Sequence, residues 1–123
     1  MVDNRAFTLE QHPGGVPEST VFSISGPMVI EHLFKFQEAW RANQSPLLIF
    51  ELGGVSYMDS SLIGSLVNAH VHLAKTGRKM ALAAVPDRIK QMLAVTNVDS
   101  LFKFYPTVAD AESALSAAKA QAG

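Results

Sequence analysis

The apolar positions of this chain change period several times, and each change marks an element. From Thr20 to Ser25 the side chains alternate, with Thr20, Phe22 and Ile24 against Val21, Ser23 and Ser25, which predicts a strand. Phe7 to His12 reads as a shorter strand. The turn formers His12-Pro13-Gly14-Gly15-Val16-Pro17 between them predict a hairpin at one edge of a sheet. Gly26-Pro27 breaks the second strand. Val29, Leu33, Phe36 and Trp40 then fall at i, i+4, i+7 and i+11. Ile30 and Phe34 widen that stripe, and Glu31, Lys35, Glu38 and Arg41 occupy the outer face. This pattern predicts a helix to about Asn43, closed by Asn43-Gln44-Ser45-Pro46.

Leu47-Leu48-Ile49-Phe50 does not alternate at all. A strand apolar on both faces is a central strand covered by helices on both sides. A loop is expected from Gly53 to Met58, and a second helix from Asp59 or Ser60. In that helix Leu62, Ile63, Leu66, Val67, Leu73 and Ala74 form the buried face, and Ser65, Asn68, His72 and Lys75 an exposed stripe. Gly77 closes it in the left-handed conformation. Lys79 to Val85 is a further strand, and Pro86 opens a helix to about Thr96 with Ile89, Met92 and Leu93 inward. Asn97-Val98-Asp99-Ser100 turns the chain into a short last strand, Leu101 to Tyr105. Pro106-Thr107-Val108-Ala109-Asp110 resembles a capping box, and the final helix buries Val108, Ala111 and Leu115 and frays after Ala118. The order β-β-α-β-α-β-α-β-α predicts an α/β fold. Its sheet is mixed and mostly parallel, of about five strands with four helices, and residues 1–123 form a single domain.

Composition narrows the chemistry. Hydrophobic residues make up 48% and charged residues 17%, which is a globular balance. Ten Lys and Arg against eleven Asp and Glu, with no basic cluster, argue against nucleic acid as the main ligand. The absence of cysteine removes disulfides, thiol chemistry and thiolate metal sites. No segment approaches the roughly 20 apolar residues of a membrane span, so no membrane insertion is expected and the default location is cytoplasmic. His70 and His72 are two apart on a helix and point different ways, so no metal site is expected. There is no Gly-x-Ser-x-Gly elbow and no glycine-rich nucleotide loop, and no cofactor is expected.

The polar cluster Asp59-Ser60-Ser61 stands at the mouth of the second helix, beyond the carboxyl end of the central strand. Functional loops gather there in parallel sheets. The first turn of a helix presents unpaired N–H groups and a partial positive charge, so a phosphate on Ser60 is tolerated there without unfolding. Gly64 lies one turn beyond Ser60 and Asn68 one turn further on the same ridge. Val71 continues it as an apolar residue where exposure is expected. Serine and aspartate are equally the ordinary N-caps, and Gly64 equally suits tight helix–sheet packing. Spacing alone leaves both readings open.

The run Val55-Ser56-Tyr57-Met58-Asp59-Ser60-Ser61, with Gly64 three residues on, resembles the signature of the STAS domain. It is most similar to the bacterial anti-sigma factor antagonists. The likeness extends through Phe50-Glu51-Leu52, Gly77, Pro86, Met92-Leu93 and Asn97-Val98-Asp99-Ser100-Leu101-Phe102. The resemblance implies that Ser60 is phosphorylated by an anti-sigma factor serine kinase and restored by a cognate phosphatase. The unphosphorylated form then captures the kinase and frees the sigma factor. It implies a partner surface of Asp59, Ser60, Ser61, Gly64, Asn68, Val71 and Met28, and a monomer or weak dimer. Leu62 stands where the family carries glycine. Pro27 and Met28 stand where it carries an acid after Gly26.

Two other functions fit the residues. One is a STAS docking subunit of a larger sensory (stressosome-like) or lipid-transport assembly, without phosphorylation. The other is a small hydrolase using Asp59 or Ser60 as nucleophile. The hydrolase requires a pocket with a base or oxyanion donors near Ser60, whereas a binding module presents a shallow face there.

Overall fold

A computed structural model of the chain describes residues 6–122, with side chains through Leu115. The strands are β1 (Thr8–Pro13), β2 (Ser19–Met28), β3 (Leu47–Met58), β4 (Lys79–Ala83) and β5 (Phe104–Tyr105). The helices are α1 (Leu33–Ala42), α2 (Ser60–Lys75), α3 (Asp87–Val95) and α4 (Val108–Ala122), with 3-10 turns at Ile30–His32 and Asp99–Leu101. The sheet order is β1-β2-β3-β4-β5; β1 pairs antiparallel with β2 and every other pair is parallel. The expected element order and mixed α/β sheet are therefore what the chain forms.

Each parallel crossover steps one strand further in the same direction. Right-handed connections of that kind place all three crossover helices on one face. Phe36 and Trp40 of α1, Leu62, Leu66 and Leu73 of α2, and Ile89 and Leu93 of α3 accordingly share one core with Phe22, Leu48, Phe50 and Leu82. Helix α4 follows the last strand and takes the other face, where Ala111 and Leu115 pack on Val21, Ile49, Ala81 and Ala83. Small residues on β4 let α4 approach closely. The unalternating Leu48-Ile49-Phe50 run is explained by these two layers.

Several boundaries differ from the sequence pattern. Gly26-Pro27 does not end β2. The strand continues to Met28 through register shifts, with Gly26 at a φ of +82°. Its extension pairs with Gly54 to Met58, so the expected loop is the second half of β3. Gly54 is required by close approach, because a Cβ there would lie 2.6 Å from the Ser25 Cβ. The last strand is only Phe104–Tyr105, and the expected β-structure at Leu101 is a 3-10 turn. Ile30, which lies in the 3-10 turn before α1, and Phe34 of α1 do not widen the buried stripe; they are 58% and 75% exposed. On α2, Ser65 is buried, not exposed, because it falls on the stripe of Leu62, Leu66, Ala69 and Leu73; Ala74 is exposed.

Gly77, at a φ of +72°, ends α2 as expected. The Gly77 N–H bonds the Ala74 carbonyl and the Arg78 N–H bonds the Leu73 carbonyl at 2.8 Å. Thr107 caps α4, its hydroxyl accepting from the Asp110 N–H at 3.0 Å. The fraying expected beyond Ala118 falls outside the described side chains. Nothing in the sequence pattern pointed to Glu112. Its buried carboxylate on α4 accepts from the Gly15 N–H and, at 3.0 Å, the Val16 N–H, and so ties the β1–β2 turn to the opposite end of the chain.

Candidate functional site

Asp59 leaves the end of β3 with extended backbone, φ −87° and ψ 174°, as an N-cap requires. Its Oδ1 accepts from the Leu62 N–H at 3.1 Å, which caps α2. Its Oδ2 accepts from the Ile30 N–H at 2.9 Å, across the sheet end in the turn after β2. The Asp59 N–H in turn donates to the Met28 carbonyl at 3.0 Å. One residue thus caps a helix and joins two connections of the sheet, leaving both carboxylate oxygens occupied.

Ser60 is the first residue of α2 and is exposed. Its hydroxyl takes part in no hydrogen bond among the described residues, because the capping is done by its neighbour. The cap is therefore Asp59, and Ser60 is left exposed beside it. Ser61 is half-buried. Gly64 and Asn68 lie exposed along the ridge above Ser60, and Val71 is 41% exposed. A Cβ on Gly64 would meet nothing within 4 Å, so tight helix–sheet packing does not explain this glycine. Met28 does not belong on the surface. Its side chain is wholly buried in the core, and only its carbonyl touches the site, through the bond to Asp59.

Apolar surface flanks Ser60 on two sides. On one side the turn tied to Asp59 presents Ile30, with Phe34 four residues on at the start of α1. On the other a shallow groove of about 400 Å³ runs between α2 and α3, and Ser60 stands at its margin. Its apolar walls include Ile63, Met92 and the exposed Tyr57 and Val95. Arg88 supplies the charge and donates to the Ser56 carbonyl at 3.4 Å. Sequence periodicity did not pick out Tyr57, Val95 or Arg88, because the groove forms only when the end of β3 and two helices meet. Among the described residues the groove lining carries no histidine or carboxylate that would serve as a base for Ser60.

Elsewhere His70 stands edge-on to Phe102 at 5.9 Å and His72 lies against Trp40 at 5.5 Å. Among the described residues no group of three or more His, Asp or Glu side chains is arranged to hold a metal ion, and no helix is long and apolar enough to cross a membrane.

A five-stranded mixed sheet in the order β1-β2-β3-β4-β5, with three helices on one face and a fourth on the other, defines a class of small α/β domain. Residues 7–111 match the STAS domain family, and the chain belongs to it. A curated protein of Thermotoga neapolitana, named "Putative anti-sigma factor antagonist TM1081 homolog", is 31% identical over 83 residues, covering 65% of this chain and 73% of that protein. The crystal structure of an anti-sigma factor antagonist from Mycobacterium paratuberculosis superposes with a TM-score of 0.77 at 22% identity, covering 89% of this chain and 93% of that one. The STAS domain of a SulP transporter from Vibrio cholerae superposes with a TM-score of 0.67 at 23% identity, covering 85% and 87%.

Proposed function

We propose that this protein is a cytoplasmic anti-sigma factor antagonist, a non-enzymatic binding module switched by phosphorylation of Ser60. The observation that carries the reading is the division of labour at the start of α2. Asp59 does the structural work, while the Ser60 hydroxyl stands exposed and unengaged beside apolar surface. The similarity to proteins named as anti-sigma factor antagonists supports an anti-sigma factor as the partner class. On this reading that partner is a serine kinase, and a phosphatase reverses the modification.

Phosphoryl transfer from ATP forms an Oγ–P bond on Ser60, breaks the bond to the β-phosphate oxygen and releases the hydroxyl proton. The product adds about −1.5 to −2 charges at the helix N-terminus. Helix N–H groups stabilise that charge, so the fold persists. A partner seated on Ile30, Phe34, the exposed α2 ridge of Ser60, Gly64 and Asn68, and the α2–α3 groove meets a new dianion beside Asp59. Like charges brought together at an interface cost several kcal/mol. Binding is lost without a change of fold, and sigma-factor release stops with it.

Intact-mass and peptide mapping after incubation with ATP and candidate serine kinases tests the reading. A single phosphate on Ser60, absent in Ser60→Ala, is expected. Partner binding should survive Ser60→Ala and fail in Ser60→Asp. No phosphate with any such kinase would favour a second reading, a constitutive docking subunit of a larger assembly. That reading has its own support in Leu62, in the buried Met28 after Pro27, and in the fold shared with the transporter STAS domain.

A further inference from the structure

At the sheet edge away from β1, β5 is shorter than the strand beside it. β4 pairs with it only through Leu82 with Phe104 and Ala83 with Tyr105. The start of β4 therefore has no strand along its outer edge, and a cleft of about 400 Å³ opens there. It wraps around the edge. Leu73 of α2 forms one apolar wall, Leu115 of α4 the other, and Met80 the floor between them. That volume lies in the range of small-molecule sites, roughly 300 to 1,000 Å³.

The mouth of the cleft is cationic. Arg78, Lys79 and Lys103 line it together with His70, and among the described residues no carboxylate does. In a chain with ten basic Lys and Arg and eleven acidic residues this is a local separation of charge, not an average. Arg78 is partly committed: it donates from Nε to the Ser45 carbonyl and from Nη2 to the Asn43 carbonyl, both at 2.8 Å. Burial lowers its pKa, since desolvation disfavours the charged guanidinium, and an anion alongside would offset that cost. Lys79 and Lys103 are exposed, with flexible ammonium groups able to converge on one ligand. Tyr105, half-buried at the same mouth, adds a hydroxyl donor and an aromatic face.

We propose that this cleft binds a small phosphate monoester with an aromatic or apolar body. The apolar walls take the body. Cations spread around the mouth suit a dianion with several acceptor oxygens better than a single carboxylate. The site is separate from Ser60: His70 lies ten residues along the same helix, about 15 Å away at 1.5 Å per residue.

The test uses 1-naphthyl phosphate as the probe, titrated into the full chain and followed by amide chemical shifts. Saturable shifts are expected at Met80, Lys103, Tyr105 and Ala74, with inorganic phosphate and 1-naphthol each binding more weakly. Lys103→Gln and Lys79→Gln should each weaken binding about tenfold, the loss of one charge-assisted contact. Both residues are exposed, so the fold should be unaffected, and Ser60→Ala should bind the probe as the parent does. Absence of saturable shifts at the cleft overturns the proposal. So does 1-naphthol binding as tightly as its phosphate, or an affinity unchanged in both lysine variants.

Discussion

Asp59 and Ser60 are neighbours with opposite relations to the fold. The carboxylate of Asp59 holds two backbone N–H groups, one in its own helix and one in the turn after β2. Removing it leaves both donors without that partner. Asp59→Ala is therefore expected to cost about 1 to 3 kcal/mol, read as a lower urea midpoint at unchanged slope. Ser60→Ala removes only an exposed, unbonded hydroxyl and should stay within about 0.5 kcal/mol of the parent. Equal losses in the two variants would show the capping assignment to be wrong. The glycines divide the same way. Gly64 faces open space, so Gly64→Ala should raise stability by about 1 kcal/mol through helix propensity. The same substitution should weaken partner binding, because the proposed interface lies on the bare helix surface. Gly54→Ala should lower stability, since its Cβ would collide with Ser25.

At the scale of elements, periodicity located α2 and the first half of β3 but misread what joins them. Gly53-Gly54 look like turn formers, and in isolation they are. They lie within a strand here because β2 runs on past Gly26-Pro27 and offers the second half of β3 a parallel partner. Ser65 was misplaced for a related reason. Its polarity suggested the surface, but its angular position on α2 belongs to the core stripe, and its hydroxyl is buried without a hydrogen-bond partner. Glu112 lies beyond any local pattern: the groups it binds are nearly the whole chain away. Glu112→Ala should destabilise the fold by about 1 to 3 kcal/mol by orphaning the Gly15 and Val16 amides. Hydrogen exchange at those two amides should accelerate before exchange in β3 does. Unchanged protection there would count against the clamp.

For the whole molecule, the sequential strand order gathers α1, α2 and α3 on one face, and the start of α2 emerges between exposed apolar surfaces. An acidic residue at a helix N-terminus is favourable by about 0.3 to 1 kcal/mol, so Ser60→Asp should keep or slightly raise the melting temperature. Loss of partner binding in that variant then reports on the interface and not on unfolding. A lowered melting temperature with lost binding would leave the switch without this support.

Read alone, the sequence determined the fold class, the order of the elements, the two-sided burial of Leu48-Ile49-Phe50 and the place of Asp59-Ser60-Ser61 at the start of a helix. Those are consequences of local periodicity and capping chemistry, which act over a few residues. The tertiary structure decided which of Asp59 and Ser60 is the cap, because the second bond of the Asp59 carboxylate reaches Ile30, far away in sequence. It decided that Met28 is core and that Ile30, Phe34, Tyr57 and Val95 are surface, because burial depends on which neighbouring elements arrive. It also made both clefts, one between α2 and α3 and one beside a strand too short to cover its neighbour. Each is a gap between elements, and no single element's sequence contains it.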